Sequence, residues 1–322
     1  MKAVVYRRHG PVDVLRIEEI ETPVPADDEV LIRIRAASVN PLDWRLMVGK
    51  PAIIRLVFMR SKEKFKRPGV DFAGTIEAVG NAVTQFKPGD AVYGSCRGAF
   101  AEYAIAPQSA VAMKPANMTF EQAAAVPMTG YTALQALRDT GRLQSGQKVL
   151  INGAAGGIGS IAVQIAKSFG AEVTGVCSPK SVDMVRSIGA DRVIDYTRDD
   201  FTRSGDQYDL IIDIVGNRSL SEFRRALKPH GVYVAVGGPQ GSWVAFLGRL
   251  LAIPIRSRLS SRKLRIMMAK RSQEDLNLLS GLMEAGKVTP VIDRRYQLSE
   301  IHDAFRYMQE GHARGKVVVA VE

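Results

Sequence analysis

The chain has 322 residues with ordinary hydrophobic (46%) and charged (24%) fractions, so it can form two folded domains. Two cysteines, Cys96 and Cys177, exclude a disulfide framework and a four-cysteine zinc site, and they favour a reducing, intracellular setting. The net charge of +11 is concentrated in residues 45–67 and 241–271, which indicates two basic surfaces and not a nucleic-acid-binding protein.

The chain begins with the pattern of a β-strand and without the features of a signal peptide. No run reaches the roughly 18 apolar residues that a membrane-spanning helix needs, so we expect a cytoplasmic protein. Up to about residue 110, short apolar or alternating runs are separated by turn residues, which predicts a β-rich region. The clearest strands are predicted at residues 29–36, 74–79 and 91–93.

From Thr119 onward the pattern becomes helical, and the segment from Thr119 to Gln122 predicts a capping box. Between residues 148 and 240, apolar strands alternate with helices, which predicts a parallel sheet covered on both faces. The predicted strands are residues 148–152, 172–177, 192–195, 209–213 and 232–236, and the predicted helices include residues 158–169 and 180–188. Residues 241–271 show no clear alternation of strands and helices. A further helix is predicted at residues 273–285.

A glycine-rich turn follows the strand at residues 148–152 and leads directly into a helix, as in dinucleotide-binding sites. Glycine lets backbone amides approach a pyrophosphate, and the helix N-terminus adds N–H donors and partial positive charge. The strict G-x-G-x-x-G pattern is not met, because an alanine replaces its first glycine, so the prediction depends on the strand–turn–helix context. The predicted cofactor-binding residues of the turn are Gly153, Ala154, Ala155, Gly156, Gly157, Ile158 and Gly159.

The segment after the second strand of this region favours NADPH over NADH. Sites for NAD usually place an acidic residue there to bind the ribose hydroxyls, and this chain has none. Ser178 and Lys180 supply instead a hydroxyl and a cation, which can bind a 2′-phosphate. The alternative is that Ser178 only caps the next helix and that Lys180 is solvated.

Six segments, in the same order along the chain, resemble the medium-chain dehydrogenase/reductase superfamily, in particular its zinc-independent quinone oxidoreductase-like branch. They are residues 2–5, 38–43, 69–74, 153–159, 187–191 and 315–318. The resemblance implies an α/β fold in which a Rossmann doubly wound parallel sheet accompanies a GroES-like β-rich catalytic domain. The expected Rossmann domain is residues 121–286, and the expected catalytic domain is residues 1–120 with 287–322.

Zinc-dependent members of this superfamily carry a cysteine at the position of Asn40 and a His-Glu pair at the positions of Val70 and Asp71. The four histidines of this chain are scattered and show no ligand spacing. The resemblance therefore implies an enzyme without a metal, in which NADPH supplies the hydride and the protein positions it. Quinones and α,β-unsaturated carbonyls, which are already activated, are the expected acceptors.

The resemblance also implies roles for individual residues. Asn40 is expected beside the nicotinamide, where its amide hydrogen-bonds the substrate oxygen or the cofactor; the alternative is a turn asparagine before a proline. Asp43 is expected to support the local backbone, and Tyr131 is a candidate proton donor, with a buried core tyrosine as the alternative. The other residues expected near the cofactor are Thr129, Tyr196, Val215, Gly237, Gly238 and Lys316.

The two basic segments, residues 45–67 and 241–271, also contain many apolar residues. This pattern is compatible with solvated loops or a dimer contact, with a peripheral membrane surface, or with recognition of an anionic substrate. Arg45 replaces a tyrosine that related reductases often carry, which weakens any inference about the substrate. Two other functions stay open: a non-catalytic NADPH-binding sensor or membrane-associated scaffold, and a zinc-free NAD(P)-dependent alcohol dehydrogenase. We expect a homodimer.

Overall fold

The computed structural model describes residues 1–49, 65–237 and 261–321, together with Gly248 and Ile253. The contacts between residues divide the chain into two compact units. The first unit comprises Met1–Met128, Arg271–Gly286 and Pro290–Glu322, and the second comprises Thr129–Lys270 and Lys287–Thr289.

The strands and helices follow one another along the described residues with these bounds. The strands are β1 (Lys2–Val5), β2 (Arg16–Glu19), β3 (Glu29–Val39), β4 (Asp71–Val79), β5 (Ala91–Ser95), β6 (Tyr103–Pro107), β7 (Val111–Met113), β8 (Lys148–Asn152), β9 (Glu172–Cys177), β10 (Arg192–Asp195), β11 (Tyr208–Asp213), β12 (Leu227–Ala235), β13 (Lys263–Ile266), β14 (Ile292–Gln297) and β15 (Lys316–Ala320). The helices are α1 (Pro41–Val48), α2 (Phe120–Ala124), α3 (Pro127–Gln135), α4 (Gly157–Ser168), α5 (Val182–Ser187), α6 (Leu220–Ala226), α7 (Gln273–Glu284) and α8 (Ile301–Gln309). Within the described ranges, none of these helices is long and apolar enough to cross a membrane.

The first unit is built on a mainly antiparallel sheet with the strand order β14-β15-β3-β4-β5-β7, and β6 pairs with β3. The long central strand β3 extends three residues beyond the predicted strand at residues 29–36. Its last four residues are buried whichever face they point to, and they pair along both edges, with β4 on one side and β15 on the other. A strand buried on both faces loses the apolar–polar alternation on which the prediction depended.

The tail of the chain completes the core of this first unit. Strand β15 pairs with β3, and helix α8 buries Phe305 against Phe100, with ring centroids 5.7 Å apart. The capping box predicted at the start of α2 is confirmed, because Thr119 Oγ1 accepts a hydrogen bond from the Gln122 N–H at 3.1 Å. The predicted β-rich fold of this part of the protein is confirmed.

The second unit contains a parallel sheet with the order β10-β9-β8-β11-β12-β13. The chain starts in the middle at β8, proceeds outward to β10, returns to β11 beside β8 and proceeds outward again. The alternation of strands and helices predicted this parallel sheet, and its doubly wound order is the one that the family resemblance implied. The order places the point of reversal between β8 and β11. Strand β13 lies in residues 241–271, where no strand was predicted, because it has only four residues and two of them are basic.

Helix α7 packs on the first unit, although the predicted boundary assigned residues 121–286 to the Rossmann domain. Its buried apolar residues include Leu276, Leu279 and Met283. The Tyr93 hydroxyl donates to the Leu276 carbonyl at 2.8 Å. The observed units therefore differ from the predicted domains at this helix, because long-range packing and not local pattern decides which sheet a helix covers.

Candidate functional site

The glycine-rich turn joins the end of β8 to the start of α4 in the second unit. Gly153 has a φ of +93°, a left-handed conformation that residues with side chains rarely adopt. The N–H groups of Gly153 and Ala154 donate to the Val176 carbonyl at 3.1 and 3.0 Å, so the turn begins against the neighbouring strand β9. Gly156 is the extended residue that precedes the first turn of α4.

Two glycines of the turn, Gly159 and Gly156, differ in how much space surrounds them. A Cβ at Gly159 would lie 2.0 Å from the Gly153 carbonyl oxygen, so α4 can pack this closely only without a side chain there. A Cβ at Gly156 would meet the Gly153 carbonyl oxygen at 3.7 Å, an ordinary contact, and no other described atom within 4 Å. The described part of the protein therefore explains the glycine at Gly159 but not the glycine at Gly156.

The space beside Gly156 fits a phosphate group. It lies at the N-terminus of a helix of twelve residues, whose first N–H groups have no partner within the helix. These N–H groups and the helix dipole favour an anion, and a pyrophosphate would occupy the space that a side chain at Gly156 would fill. Ala155, Gly157 and Ile158 complete the turn that would hold it.

Ser178, Lys180 and Tyr196 follow the next two parallel strands, β9 and β10, at the same edge of the sheet. The Tyr196 N–H donates to the Cys177 carbonyl at 3.2 Å, which brings Tyr196 beside Ser178. Ser178 is half-buried; its Oγ lies 3.4 Å from Ser181 Oγ, and its side chain makes no capping hydrogen bond to the backbone of the described helical turn that follows. Lys180 is exposed, and Tyr196 is 46% exposed. A hydroxyl, an ammonium group and an aromatic ring are thus available at this edge.

Val215 and Gly237 follow β11 and β12 at the same edge. A Cβ at Gly153 would lie 2.8 Å from Val215 Cγ2, so Val215 packs directly on the glycine-rich turn. A Cβ at Gly237 would lie 1.9 Å from the Ile214 carbonyl oxygen. Gly238 lies outside the described residues. The carboxyl edge of the sheet therefore gathers most of the residues predicted to bind the cofactor.

Thr129 and Tyr131, in helix α3, also belong to the second unit. Both are buried, with 4% and 1% of their surface exposed. Such burial is what the alternative of a core tyrosine requires, and proton donation by Tyr131 stays a prediction.

Asn40, Asp71 and Lys316 form a buried cluster of polar side chains in the first unit, with exposed fractions of 2%, 0% and 4%. Asn40 Nδ2 donates to Asp71 Oδ2 at 3.0 Å, and Lys316 Nζ donates to Asn40 Oδ1 at 2.6 Å. Lys316 Nζ also lies 3.7 Å from Asp71 Oδ2. The three residues come from neighbouring strands. Asn40 lies just past the end of β3, Asp71 begins β4 and Lys316 begins β15.

The orientation of the Asn40 amide is set by its two charged neighbours. The Lys316 ammonium can only donate hydrogen bonds, and an Asp71 carboxylate can only accept them. A reversed amide would place its NH2 group against the ammonium and its oxygen against the carboxylate, so neither hydrogen bond could form. The second hydrogen on Nδ2 goes to the Ser38 carbonyl at 3.2 Å. Both amide hydrogens of Asn40 are therefore in use, and Oδ1 retains one lone pair that can accept a further hydrogen bond.

Asp71 was not singled out as a site residue from the sequence. Its carboxylate also accepts hydrogen bonds from Ser38 Oγ at 3.3 Å, Ser95 Oγ at 3.4 Å and the Met128 N–H at 3.0 Å. Met128 belongs to the same unit as Asp71 and Asn40, so one carboxylate accepts both the Met128 N–H and the Asn40 amide. The available signal was an acidic residue inside an apolar strand, since such residues are rarely buried without partners.

Asp43 is bonded to the backbone around Asn40. Its Oδ2 accepts the Asn40 N–H at 2.9 Å, and its Oδ1 accepts the Gly69 N–H at 3.1 Å. Burial raises the pKa of the Asp43 carboxyl to about 7, although the two N–H donors favour the ionised form. Burial also raises the pKa of Asp71 and lowers the pKa of Lys316, and in each case the opposite charge of the partner counteracts the shift.

We expect Asp43 to make the protein less stable as the pH rises from about 4 to about 7. In this range the unfolded carboxyl is ionised while the folded one still binds a proton, so the folded state binds more protons and loses stability with rising pH. Urea unfolding at several pH values should show a shallower decline for Asp43→Asn than for the wild type, by at most about 1.4 kcal/mol per pH unit. Parallel pH profiles for the two proteins would contradict this assignment.

The positions at which zinc-dependent members carry metal ligands contain Asn40, Val70 and Asp71. The Lys316 ammonium donates to Asn40 Oδ1 and forms an ion pair with Asp71 at 3.7 Å. In the part of the chain that the structure describes, no three or more histidine, cysteine, aspartate or glutamate residues are grouped so that they could hold a metal ion. The chemistry of this cluster is therefore that of an internal ion pair with an amide between its members.

Comparison with known proteins agrees with this architecture. The alcohol dehydrogenase GroES-like domain family matches residues 26–116, and the zinc-binding dehydrogenase family matches residues 188–319. The 2-methylene-furan-3-one reductase of Solanum lycopersicum is 35% identical over 335 residues, which cover 99% of this chain and 79% of the reductase. The chloroplastic NADPH-dependent alkenal/one oxidoreductase of Arabidopsis thaliana is 34% identical, with the same coverage of 99% and 79%.

A solved structure extends the likeness to the whole fold. The quinone oxidoreductase from Coxiella burnetii superposes with a TM-score of 0.87 at 30% sequence identity, and the match covers 100% of this chain and 99% of that one. Together with the GroES-like domain and the doubly wound sheet, these matches show that the chain belongs to the medium-chain dehydrogenase/reductase superfamily of oxidoreductases, in its quinone oxidoreductase-like branch.

Proposed function

We propose that this chain is an NADPH-dependent, zinc-independent oxidoreductase that reduces quinones or α,β-unsaturated carbonyls by hydride transfer. The observation that carries the proposal is the turn at Gly156, where the protein leaves room for a phosphate and has no structural need of its own for a glycine. The names of the relatives, a furanone reductase, an alkenal/one oxidoreductase and a quinone oxidoreductase, support the class of acceptor.

The residues of this chain have distinct parts in the proposed reaction. Bound NADPH supplies the hydride, and residues 153–159 with Val215 and Gly237 hold and orient the dinucleotide. Asn40 has no free amide hydrogen, so we assign it as an acceptor for a donor group of the cofactor and not as a donor to the substrate oxygen. Lys316, predicted to bind the cofactor, acts in this proposal through Asn40, to which it donates at 2.6 Å.

Independence from zinc is supported by the ion pair at the expected metal position. A divalent cation bound by Asp71 would lie next to the Lys316 ammonium, which is 3.7 Å from Asp71 Oδ2, and the two cations would repel each other. Asn40, which stands where zinc-dependent members have a cysteine, supplies a neutral amide in place of a thiolate. This donor set favours an internal lysine over a metal ion.

The proposal is tested by NADPH oxidation, followed at 340 nm, against matched quinones, enones, saturated ketones and simple aldehydes. We expect turnover with the quinones or the enones, weak or no turnover with the saturated carbonyls, and no effect of a chelator. Tight NADPH binding without turnover on any acceptor would favour the sensor or scaffold alternative. Oxidation of simple alcohols with NADP⁺ would favour the zinc-free alcohol dehydrogenase.

The preference for NADPH over NADH is a separate prediction and rests on Ser178 and Lys180. Ser178→Asp should raise the Kd for NADPH by about tenfold or more, because a carboxylate would repel the 2′-phosphate, and should leave the Kd for NADH nearly unchanged. Ser178→Ala, which removes only the hydroxyl, is the matched control and should have a smaller effect. Fluorescence titration of each protein with both cofactors measures this. An unchanged NADPH affinity in Ser178→Asp would place the 2′-phosphate elsewhere.

Three features stay predictions. They are the homodimer, the cytoplasmic location and the contact of residues 45–67 and 241–271 with a membrane surface. Most of the residues in these two basic segments lie outside the described ranges, so we base no proposal on their contacts.

A further inference from the structure

A buried carboxylate, Asp213, lies at the end of β11 in the second unit, with 0% of its surface exposed. Its Oδ1 accepts hydrogen bonds from Asn152 Nδ2 at 2.8 Å and from the Gly216 N–H at 2.9 Å. Its Oδ2 accepts a hydrogen bond from the Tyr233 hydroxyl at 2.7 Å. One side chain therefore joins the ends of β8 and β11 to the middle of β12.

The two oxygens of Asp213 serve different parts of the unit. Oδ2 faces the core, where the Tyr233 ring packs on Phe223 with centroids 4.9 Å apart and both residues are fully buried. Oδ1 faces the glycine-rich turn, because Asn152 is the residue immediately before that turn. The second Nδ2 hydrogen bond of Asn152 goes to Asn217 Oδ1 at 3.0 Å, and the Asn152 carbonyl accepts the Ile214 N–H at 3.1 Å, so Asn152 is bonded twice to the segment after β11.

This segment, residues 214–217, is packed between two glycines of the proposed cofactor site. On one side, Val215 Cγ2 would be 2.8 Å from a Cβ at Gly153. On the other side, the Ile214 carbonyl oxygen would be 1.9 Å from a Cβ at Gly237. Neither glycine leaves room for the segment to move closer. The Gly216 N–H bond to Asp213 Oδ1 and the bonds of Ile214 and Asn217 to Asn152 oppose its moving away. The Oδ1 side of Asp213 thus contributes to the position of Val215, directly through Gly216 and indirectly through the Asn152 amide.

We propose that Asp213 is a positioning residue for the cofactor, which through Oδ1 holds residues 214–217 against the glycine-rich turn. The inference rests on the proposed function, since it assigns the geometry of the proposed dinucleotide site. Asp213 itself is fully buried and acts through Asn152 and Gly216, whose bonds determine where the turn and Val215 lie. Its Oδ2 side stabilises the core and has no part in cofactor binding.

Two substitutions separate these sides, because each removes one donor to the same carboxylate. Asn152→Ala removes the side-chain donor on the Oδ1 side and leaves the Gly216 N–H, and we expect the Kd for NADPH to rise by about tenfold or more. Tyr233→Phe removes the donor on the Oδ2 side, and we expect a lower melting temperature with a Kd within about threefold of the wild type. NADPH fluorescence titration and thermal unfolding of the full chain give both readouts.

A conservative substitution of Asp213 itself should preserve cofactor binding. Asp213→Asn keeps an oxygen for Asn152 and Gly216, and its amide can donate to the Tyr233 hydroxyl oxygen, so NADPH binding should stay within about threefold of the wild type. If Asn152→Ala does not fold, Asn152→Leu replaces it, since leucine has nearly the size of asparagine but cannot donate to Asp213 Oδ1; the Kd for NADPH should again rise by about tenfold or more.

The inference is overturned if the folded Oδ1-side variant binds NADPH as the wild type does, or if Tyr233→Phe weakens binding as much as that variant. These results leave the proposed function intact as long as the wild type binds and oxidises NADPH. A wild-type chain that binds neither NADPH nor NADH would instead overturn the proposed function, and this inference with it.

Discussion

Replacing Gly159 with alanine should disrupt the glycine-rich turn, whereas replacing Gly156 with alanine should remove cofactor binding and leave the fold intact. The reason is the space around each position. A Cβ at Gly159 would lie 2.0 Å from the Gly153 carbonyl oxygen and 2.7 Å from the Ala154 Cα, both of them backbone atoms. The backbone must shift to relieve this overlap, so we expect Gly159→Ala to lower the free energy of unfolding by about 3 kcal/mol or more.

Gly156→Ala is the matched control for folding and the direct test of the phosphate cradle. Its Cβ would make only an ordinary contact, at 3.7 Å, and alanine before a helix costs about 1 kcal/mol or less relative to glycine. The same Cβ would fill the space proposed for the pyrophosphate, so the Kd for NADPH should rise by about tenfold or more. Urea unfolding and fluorescence titration of both variants measure these effects. Wild-type NADPH affinity in Gly156→Ala would show that the phosphate does not lie there.

Lys316→Met should be the most destabilising substitution in the buried cluster of the first unit. It leaves the Asp71 carboxylate, with 0% of its surface exposed, without its cation. Removing one partner of a buried ion pair typically costs about 3–5 kcal/mol, because the remaining charge keeps its full desolvation cost. Lys148→Met is a matched control, since it breaks an exposed ion pair with Glu172 at 3.5 Å and should cost less than about 1 kcal/mol.

A double-mutant cycle shows whether this cost comes from the charge. Adding Asp71→Asn to Lys316→Met removes the uncompensated carboxylate, so the double variant should regain much of the lost stability. The free energies of unfolding, measured in urea for the wild type, both single variants and the double variant, give the coupling between the two residues. Additive losses would mean that the two side chains stabilise the fold independently and that the ion pair contributes little.

The local sequence pattern predicted much of the second unit, because its strands and turns depend mainly on residues that are neighbours in the sequence. The strands β8, β9 and β10 have the predicted bounds, because each is a short segment around apolar residues that is bounded by polar or turn residues. The glycine-rich turn was recognised from its place between a strand and a helix. Strand β13 was missed, since four residues with two basic side chains carry no strand signal of their own and depend on pairing with β12.

The contacts of the buried polar groups could not be predicted from neighbouring residues. Asn40 was predicted as a site residue, but its orientation depends on Lys316, which is 276 positions away in the sequence. Asp71 and Asp213 gave no specific signal, because a single acidic residue beside an apolar run is compatible with exposure as well as burial. Their hydrogen-bond partners come from strands and turns that meet only in the folded chain.

The sequence by itself determined the class of the fold, the place of the glycine-rich turn and the absence of the usual zinc ligands at Asn40 and Val70. These follow from the nature and spacing of neighbouring residues. Only the tertiary structure decided that helix α7 packs with the first unit, that Gly156 has room for a ligand while Gly159 has none, and that Lys316 and Asp71 hold the Asn40 amide between them. The physical reason is that burial, close packing and charge pairing depend on atoms that are distant along the chain and adjacent in space.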